Sequence, residues 1–441
     1  MIKRLHLHNI GPARDLEAEF GERLNLITGD NGLGKTFLLD ACWYALTKRT
    51  WADNKPFHPR HDAGKDDPPR INYIVKGEIG KEAESFSEFS FETQTWRGKS
   101  GRPSKPGLVI YARIDGGFSV WDPARNYRKT APSRATEEEG EEEPGKQAVP
   151  YQFSKSEVWD GLSAGPAGEQ TIICNGLVRD VENWQIKGNG VFALFEKVLH
   201  VLSASGKEIL KIGPGVRVQV DDVRDIPTLV MPYGAIPVTL AAAGMKRVLA
   251  LAYLLVWAWE EHKRAAELKR EEPTTRLVLL FDEVEAHLHP KWQRVFLPAV
   301  LEVAQGLLLQ NNEATVQIIA TTHAPLVLGS VETLWDHEKD QLFDFDLEDQ
   351  QVELEAIEFE KHGSAENWLS SDSFDLPSGY SVEAQKAMEL ADAFMRAYPD
   401  PRTAPQDVMQ LVHADLKRTL GGDDEYWPYW APYYQQGRKA G

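Results

Sequence analysis

A chain of 441 residues, 42% of them apolar, holds enough material for one large α/β domain with an appendage or for two or three smaller domains, and it is not disordered as a whole. Its formal charge of −18 argues against a chain-wide nucleic-acid footprint, although "EEEGEEE" (137–143) alone supplies six of the negatives, which leaves room for a local basic groove. Two cysteines (Cys42, Cys174), no signal-peptide core in "MIKRLHLHNIGP" and no apolar run near the ~20 residues of a membrane span together predict a cytoplasmic protein with reduced thiols and no membrane partner.

The chain opens on two alternating stretches, "IKRLHLHNI" and "LEAEF", which read as strands with one face buried. "LNLIT" (Leu24–Thr28) is mostly apolar and reads as a strand covered on both faces, as in a parallel sheet. "GDNGLGKT" comes next, then "FLLDACWYALT", which fits a broadly buried helix. Residues 48 to about 69 are polar and interrupted by Pro and His, a surface excursion. "INYIVKGEI" and "FSEFSFETQTW" predict antiparallel strands, and "GLVIYARIDGGFSVWD" a hairpin turning at Asp115-Gly116-Gly117. Residues 129–148 are acidic and of low complexity and are expected to be disordered.

"ALFEKVLHVLSA" and the stretch from Ala243 to about Leu268 read as helices, and "RLVLLFDE" and "VQIIATTH" as further core strands. After about Trp335 the character changes to a hairpin, "QLFDFDLEDQQVELEAIEF", two amphipathic helices and an aromatic tail. The tail "YWPYWAPYY" (Tyr426–Tyr434) lacks the interleaved Lys and Arg of a base-stacking surface and is expected to pack onto the preceding domain or a partner. "DFDLED" (Asp344–Asp349) has the spacing of a metal site but reads better as acids on an exposed hairpin.

The chemistry concentrates in three places. "GDNGLGKT" matches G-x-x-x-x-G-K-[ST] and lies between a predicted strand and a predicted helix, the context that motif needs. Its glycines let backbone N–H groups curl around an anion, and the helix N-terminus adds partial positive charge. Gly29, Asp30, Asn31, Gly32, Leu33, Gly34, Lys35, Thr36 and Phe37 are therefore the expected nucleotide-binding residues. Lys35 would reach the β- and γ-phosphates of ATP, and the Thr36 hydroxyl would ligate Mg²⁺.

The second place is "LVLLFDEVEAHLHP", an apolar strand ending in Asp282 and Glu283. Asp282 suits a magnesium ligand, and Glu283 a general base for the attacking water. The third is "VQIIATTHAP", where His323 at a strand end would contact the γ-phosphate. His287 and His289 have metal-like spacing without forming H-E-x-x-H, which favours a turn over a zinc site.

Taken in order, "GDNGLGKT", "AAAGMKR" before a long helix, "LLFDEVEAHLHP" and "ATTHAP" resemble the ABC-type ATPase heads of SMC-like and RecF-like proteins. The chain is most similar to bacterial SMC-like AAA-family and OLD-type ATPases, many of which act in phage defence, as in Septu and retron systems. The resemblance covers residues 1 to about 335. It implies an α/β fold: an ABC-type P-loop ATPase head, with a mixed sheet, an N-terminal antiparallel β subdomain and a helical signature lobe. Residues 336–441 would form a small, mainly helical C-terminal extension.

By the same resemblance Ala242, Ala243, Gly244, Lys246 and Arg247 match the family's signature, which binds the γ-phosphate held by the opposite subunit. The signature serine aligns with Ala242, a departure that predicts slow turnover. Glu285 to Leu288 falls at the D-loop, and Gln94, Gln152 and Gln170 are the candidates for the Q-loop glutamine. The distance from phosphate loop to signature is far too short for a coiled-coil arm, and no nuclease constellation is present.

The resemblance thus implies a dimeric ATPase, or a higher oligomer, acting as a switch in a bacterial anti-phage defence or DNA-maintenance complex and controlling a separate effector such as a nuclease or toxin. Two alternatives remain open at this point: a RecF-like DNA-repair clamp that binds DNA directly, and a weakly hydrolysing scaffold that holds a toxic partner inactive.

Overall fold

The computed structural model describes residues 1–47, 50–77, 82–98, 105–126, 149–165, 170–188, 190–204, 209–308, 314–371, 373–374, 376 and 379–438. The acidic stretch 129–148 lies outside the described residues. The chain divides into two compact units, Met1–Ala365 and Glu366–Gly441.

The first unit is built on an eight-stranded mixed sheet. Its strand order is Gln351–Ile357, Gln341–Glu348, Leu24–Gly29, Thr315–Thr321, Arg276–Phe281, Leu108–Ala112, Phe118–Trp121 and Tyr151–Phe153. The five strands from Gln341–Glu348 to Leu108–Ala112 run parallel, and an antiparallel pairing closes each side. Leu24, Leu26, Ile27 and Leu277 to Phe281 are all essentially inaccessible, which is why these stretches are mostly apolar rather than alternating.

Polar residues inside this core are bonded. The buried Asn25 amide accepts from the Gly21 N–H at 2.7 Å and donates to the Gly21 carbonyl at 3.1 Å. Buried Gln317 exchanges two bonds with the Ile2 backbone, 3.0 and 2.8 Å, and so fastens the first strand to the central sheet. That first strand, Ile2–His8, belongs to a separate five-stranded antiparallel sheet that includes Asp15–Glu19, Arg70–Val75, Ala83–Ser90 and Thr95–Gly98.

The helical side carries Leu177–Lys187, Gly190–Val201 and the 27-residue helix Ala243–Lys269, with a three-stranded sheet (Ile212–Arg217, Asp225–Met231, Gly234–Pro237) leading into the last. In the sequence this small sheet is obscured because its short apolar runs are broken by Gly, Pro and Asp, whereas the helix Leu177–Lys187 carries buried Leu177, Val178, Val181 and Trp184 at helical spacing. From Val248 to Trp259 the long helix is buried on every side. Among the described residues, no helix is long and apolar enough to cross a membrane.

The boundary expected at residue 335 falls elsewhere. The strand Gln341–Glu348 pairs in parallel with Leu24–Gly29, so the first compact unit runs on to Ala365. The buried Asp340 carboxylate explains this: it accepts from the Leu24 N–H at 3.0 Å and from Arg23 Nε at 2.9 Å, pinning the start of that strand beside the phosphate-loop strand. Asp340 is thus an anchor for that strand.

The second unit packs Val382–Ala397, Gln406–Thr419 and Trp427–Arg438 around Phe394, Met409, Leu416 and Trp430. The aromatic tail is the third of these helices. Within this unit Trp430 is fully buried, Tyr434 stacks on His413 at 3.8 Å, and Tyr433 meets Phe394 edge-on. The tail therefore completes the core of its own unit, where packing onto the head or a partner was expected.

Candidate functional site

The phosphate loop follows the strand Leu24–Gly29 and enters the helix Lys35–Leu46. Gly29, Gly32 and Gly34 have φ of 114°, 85° and 112°, a region L side chains avoid. A Cβ on Gly29 would lie 2.3 Å from the Phe345 carbonyl oxygen, and one on Gly34 2.5 Å from Pro12 Cγ. Both positions therefore require glycine twice over, by torsion and by space. Asp30, Asn31 and Gly32 are exposed at the tip, while Leu33 is buried beneath it. Phe37 stacks on Phe57 at 4.1 Å and supports the first helical turn from outside.

Lys35 is 7% exposed and its ammonium donates to the carbonyls of Gly29 at 2.7 Å and Asp30 at 2.6 Å. Burial lowers its pKa, opposed by Glu283, Asp30, Asp282 and Asp344. The Thr36 hydroxyl is within 3.0 Å of both Asp282 oxygens. Asp282 directly follows the strand Arg276–Phe281 and is 1% exposed. Burial raises its pKa, and the hydroxyls of Thr36 and Thr321 pull it back. Two motifs far apart in sequence thus meet across the sheet, because their strands both end on the same side.

Glu283 comes next and holds φ of 46°. Its N–H donates to Thr321 Oγ1 at 2.8 Å, and its carboxylate lies 4.0 Å from His323 Nε2. Burial and the Lys35 charge lower the pKa of His323, partly offset by Glu283. A neutral imidazole can accept a proton or donate one hydrogen bond, which suits a residue beside a transferring phosphate.

Several residues of this constellation were not singled out by pattern alone. The Glu285 carboxylate accepts from the His323 N–H at 2.6 Å and from Thr322 Oγ1 at 2.8 Å, fixing the turn that presents His323. Burial raises its pKa. Asp344 corrects the reading of "DFDLED" as exposed acids: it sits opposite Thr28, whose hydroxyl donates to it at 2.6 Å, and burial pushes its pKa up to about 6. Asp40, on the helix that carries Thr36, is likewise pushed up to about 6 by burial, and its carboxylate bonds to the Tyr111 side chain. The alternation of "DFDLE" places Asp344 on the face opposite Phe343 and Phe345, so nothing in that pattern hinted that it is covered.

The signature residues separate into two groups. Ala242 and Ala243 are exposed at the start of the helix Ala243–Lys269, with Ala242 as its N-cap and no side-chain cap bond. Gly244 and Lys246 are half-buried. Arg247, expected to face another subunit, instead turns into its own: Nη2 donates to the carbonyls of Asp282 at 3.1 Å and Glu283 at 3.0 Å.

Of the Q-loop candidates, Gln94 lies in an exposed turn and Gln170 is exposed. Gln152 bonds to the Asp53 N–H at 3.2 Å, the Trp51 carbonyl at 3.3 Å and the Ser119 hydroxyl. None of the three is bonded to Thr36 or Asp282. His287 and His289 take turn roles, His287 with φ of 63° and His289 as a helix N-cap accepting from the Lys291 N–H at 3.2 Å.

Residues 4–161 match an AAA domain family model, and residues 199–329 match a second AAA domain model whose description also names the AbiEii toxin and a Type IV TA system. The chain is 22% identical over 352 residues to the Septu protein PtuA of Bacillus thuringiensis, covering 74% of this chain and 72% of that protein. It is 39% identical over 54 residues to the Retron Vc95 probable ATPase of Vibrio cholerae serotype O1 biovar El Tor, a match spanning 12% of this chain and 9% of that protein. Among solved structures, the SMC head domain from Thermotoga maritima covers 81% of this chain and 99% of its own at 16% identity, with a TM-score of 0.38.

Proposed function

We propose, on the premise that the chain is an SMC/RecF-like ATPase of ABC-type P-loop fold, that two copies close on ATP and act as a switch for a separate effector in a bacterial anti-phage defence complex. The observation that carries the reading is the convergence of Thr36, Asp282, Glu283 and His323 at the phosphate loop. Gly29 to Phe37 bind the nucleotide phosphates in this reading, and Lys35 leaves the loop carbonyls for the β- and γ-phosphates. Glu283 takes the proton of the attacking water, and His323 contacts the γ-phosphate.

Thr36 and Asp282 fit a magnesium ion, since both offer hard oxygen donors, 3.0 Å apart, beside the loop. Bound there, the ion would neutralise phosphate charge.

Closure depends on the signature helix. The helix Ala243–Lys269 begins at exposed residues, Ala242 as its N-cap and Ala243 as its first residue, and the N–H groups of its first turn have no acceptor within the helix. Such a terminus attracts an anion, and the γ-phosphate of an opposing subunit is the anion this fold supplies. Without a serine at position 242 one hydrogen bond to that phosphate is missing, so hydrolysis is slow. Likeness to a Septu protein and, over a short stretch, to a retron ATPase supports a defence role.

The experiment is sizing of the Glu283→Gln variant with and without ATP and magnesium. The proposal expects a monomer that becomes a stable dimer only with ATP, because the trapped nucleotide is not hydrolysed. A variant that binds ATP yet stays monomeric refutes the closed pair.

A further inference from the structure

The helix Ala243–Lys269 touches the hydrolytic turn of its own chain at two points on one face. Gly244 lies so close to the His287 carbonyl oxygen that a Cβ there would stand 2.7 Å from it. One turn on, Arg247 donates to the carbonyls of Asp282 and Glu283. The segment it holds is strained: Glu283 and His287 have φ of 46° and 63°, and each such non-glycine residue persists only where its surroundings over-determine it.

Those surroundings can be named. On one side of Glu283 its N–H is fixed by Thr321 Oγ1, and the Val284 N–H by the Thr321 carbonyl at 3.1 Å. On the other side its carbonyl is fixed by Arg247, whose guanidinium is buried enough for its pKa to fall despite the nearby Glu285, Asp282 and Glu283. Arg247 Nη1 is also buried and donates to no acceptor among the described residues. Burying a guanidinium to bind two carbonyls and leave a donor idle is costly, and adds little to a core that aliphatic packing could fill.

We propose that Arg247 is a positioning residue for hydrolysis in its own subunit, tying the first turn of the signature helix to the turn that carries Glu283. The proposal rests on the ATP-sandwich reading and deepens it. A phosphate captured in trans at the N-terminus of this helix is transmitted, three residues later, to the general base of the same chain. The tie to the Glu283 carbonyl is already made within the single chain, so phosphate capture at the helix N-terminus acts through a connection that is in place.

The test uses the full chain with Arg247→Met and Arg247→Lys and three readouts: kcat, the dissociation constant for ATP, and ATP-driven dimerisation in a Glu283→Gln background. For Arg247→Met, kcat should fall by about 10–100-fold, while ATP affinity and dimerisation stay within about 3-fold. For Arg247→Lys, whose ammonium reaches one carbonyl, kcat should be intermediate, which guards against a methionine variant that misfolds. An unchanged kcat overturns the proposal. So does a dimer weakened by about 10-fold or more whose kcat recovers at high protein concentration, since that is the behaviour of a residue acting on the neighbour's phosphate. If Glu283→Gln never dimerises, the sandwich reading fails, yet the kcat of Arg247→Met still decides this inference because the contact lies within one chain.

Discussion

Ala242→Ser separates what the signature helix does for its own fold from what it does for a neighbour. Ala242 is the N-cap of the 27-residue helix, with φ of −58° and ψ of 152°, and is exposed, so a serine fits there without strain. Its hydroxyl oxygen would accept from an N–H in the first helical turn, worth about 1 kcal/mol over alanine. The same hydroxyl can donate to a phosphate, and a hydrogen bond to a charged acceptor contributes about 1.5–3 kcal/mol. A symmetric pair contains two such sites, so dimerisation on ATP should strengthen by about 3–6 kcal/mol, about 10²–10⁴-fold in Kd. Urea unfolding of the ATP-free protein reads the first effect. Sedimentation equilibrium with ATP in a Glu283→Gln background reads the second. A stability gain of about 1 kcal/mol with no change in dimer Kd would refute the reasoning, because the serine would then cap a helix that faces no phosphate.

Three further outcomes are expected. Gly34→Ala places a Cβ 2.5 Å from Pro12 Cγ at a φ of 112°, so the loop must distort, and titration calorimetry should show ATP affinity lost by more than about 10-fold; retained affinity would mean the loop adapts freely. Glu285→Ala strips the acceptor from the His323 N–H and the Thr322 hydroxyl, and should cost about 1–3 kcal/mol in urea unfolding, whereas Glu285→Gln, which keeps a carbonyl acceptor, should cost less. Asp40 and Asp344 are both pushed up to about 6 by burial, so the folded chain holds their protons more tightly than the unfolded one. Their contribution is fully present below the ordinary aspartate value and is lost as pH rises through about 6. The Asp40→Asn/Asp344→Asn double variant should therefore gain on the wild type between about pH 4.5 and 7.5 in urea midpoints; a constant difference would show that burial does not govern them.

Local chemistry was legible wherever a single short stretch had to satisfy a demand by itself. The phosphate loop needs glycine at Gly29 and Gly34 because of torsion and space, and the strand before it must be apolar on both faces, so the loop and its flanking strand and helix could be read in advance. The same holds for the strands leading to Asp282 and Thr321, whose runs are covered on both sides and so are mostly apolar, buried Gln317 being the polar exception. The long helix opening at Ala243 was likewise plain from composition. By contrast, the small sheet before it is built of short runs broken by Gly, Pro and Asp, and the true end of the first unit depended on a pairing across a long stretch of chain.

Pairwise geometry was decided only by the fold. Nothing in the spacing of "GMKR" says whether Arg247 reaches out to a neighbour or back to the Asp282 and Glu283 carbonyls; the direction is set by how the helix lies on its own sheet. Asp344 shows the same limit, because an aspartate on an alternating strand faces in or out according to which strand its own pairs with. The role of Asp340 likewise comes from its contact, since its carboxylate holds the N–H of Leu24. Sequence determines which groups are available and where the backbone must bend. Burial, and the partner each buried polar group must then find, belongs to the tertiary structure, since it depends on residues hundreds of positions away.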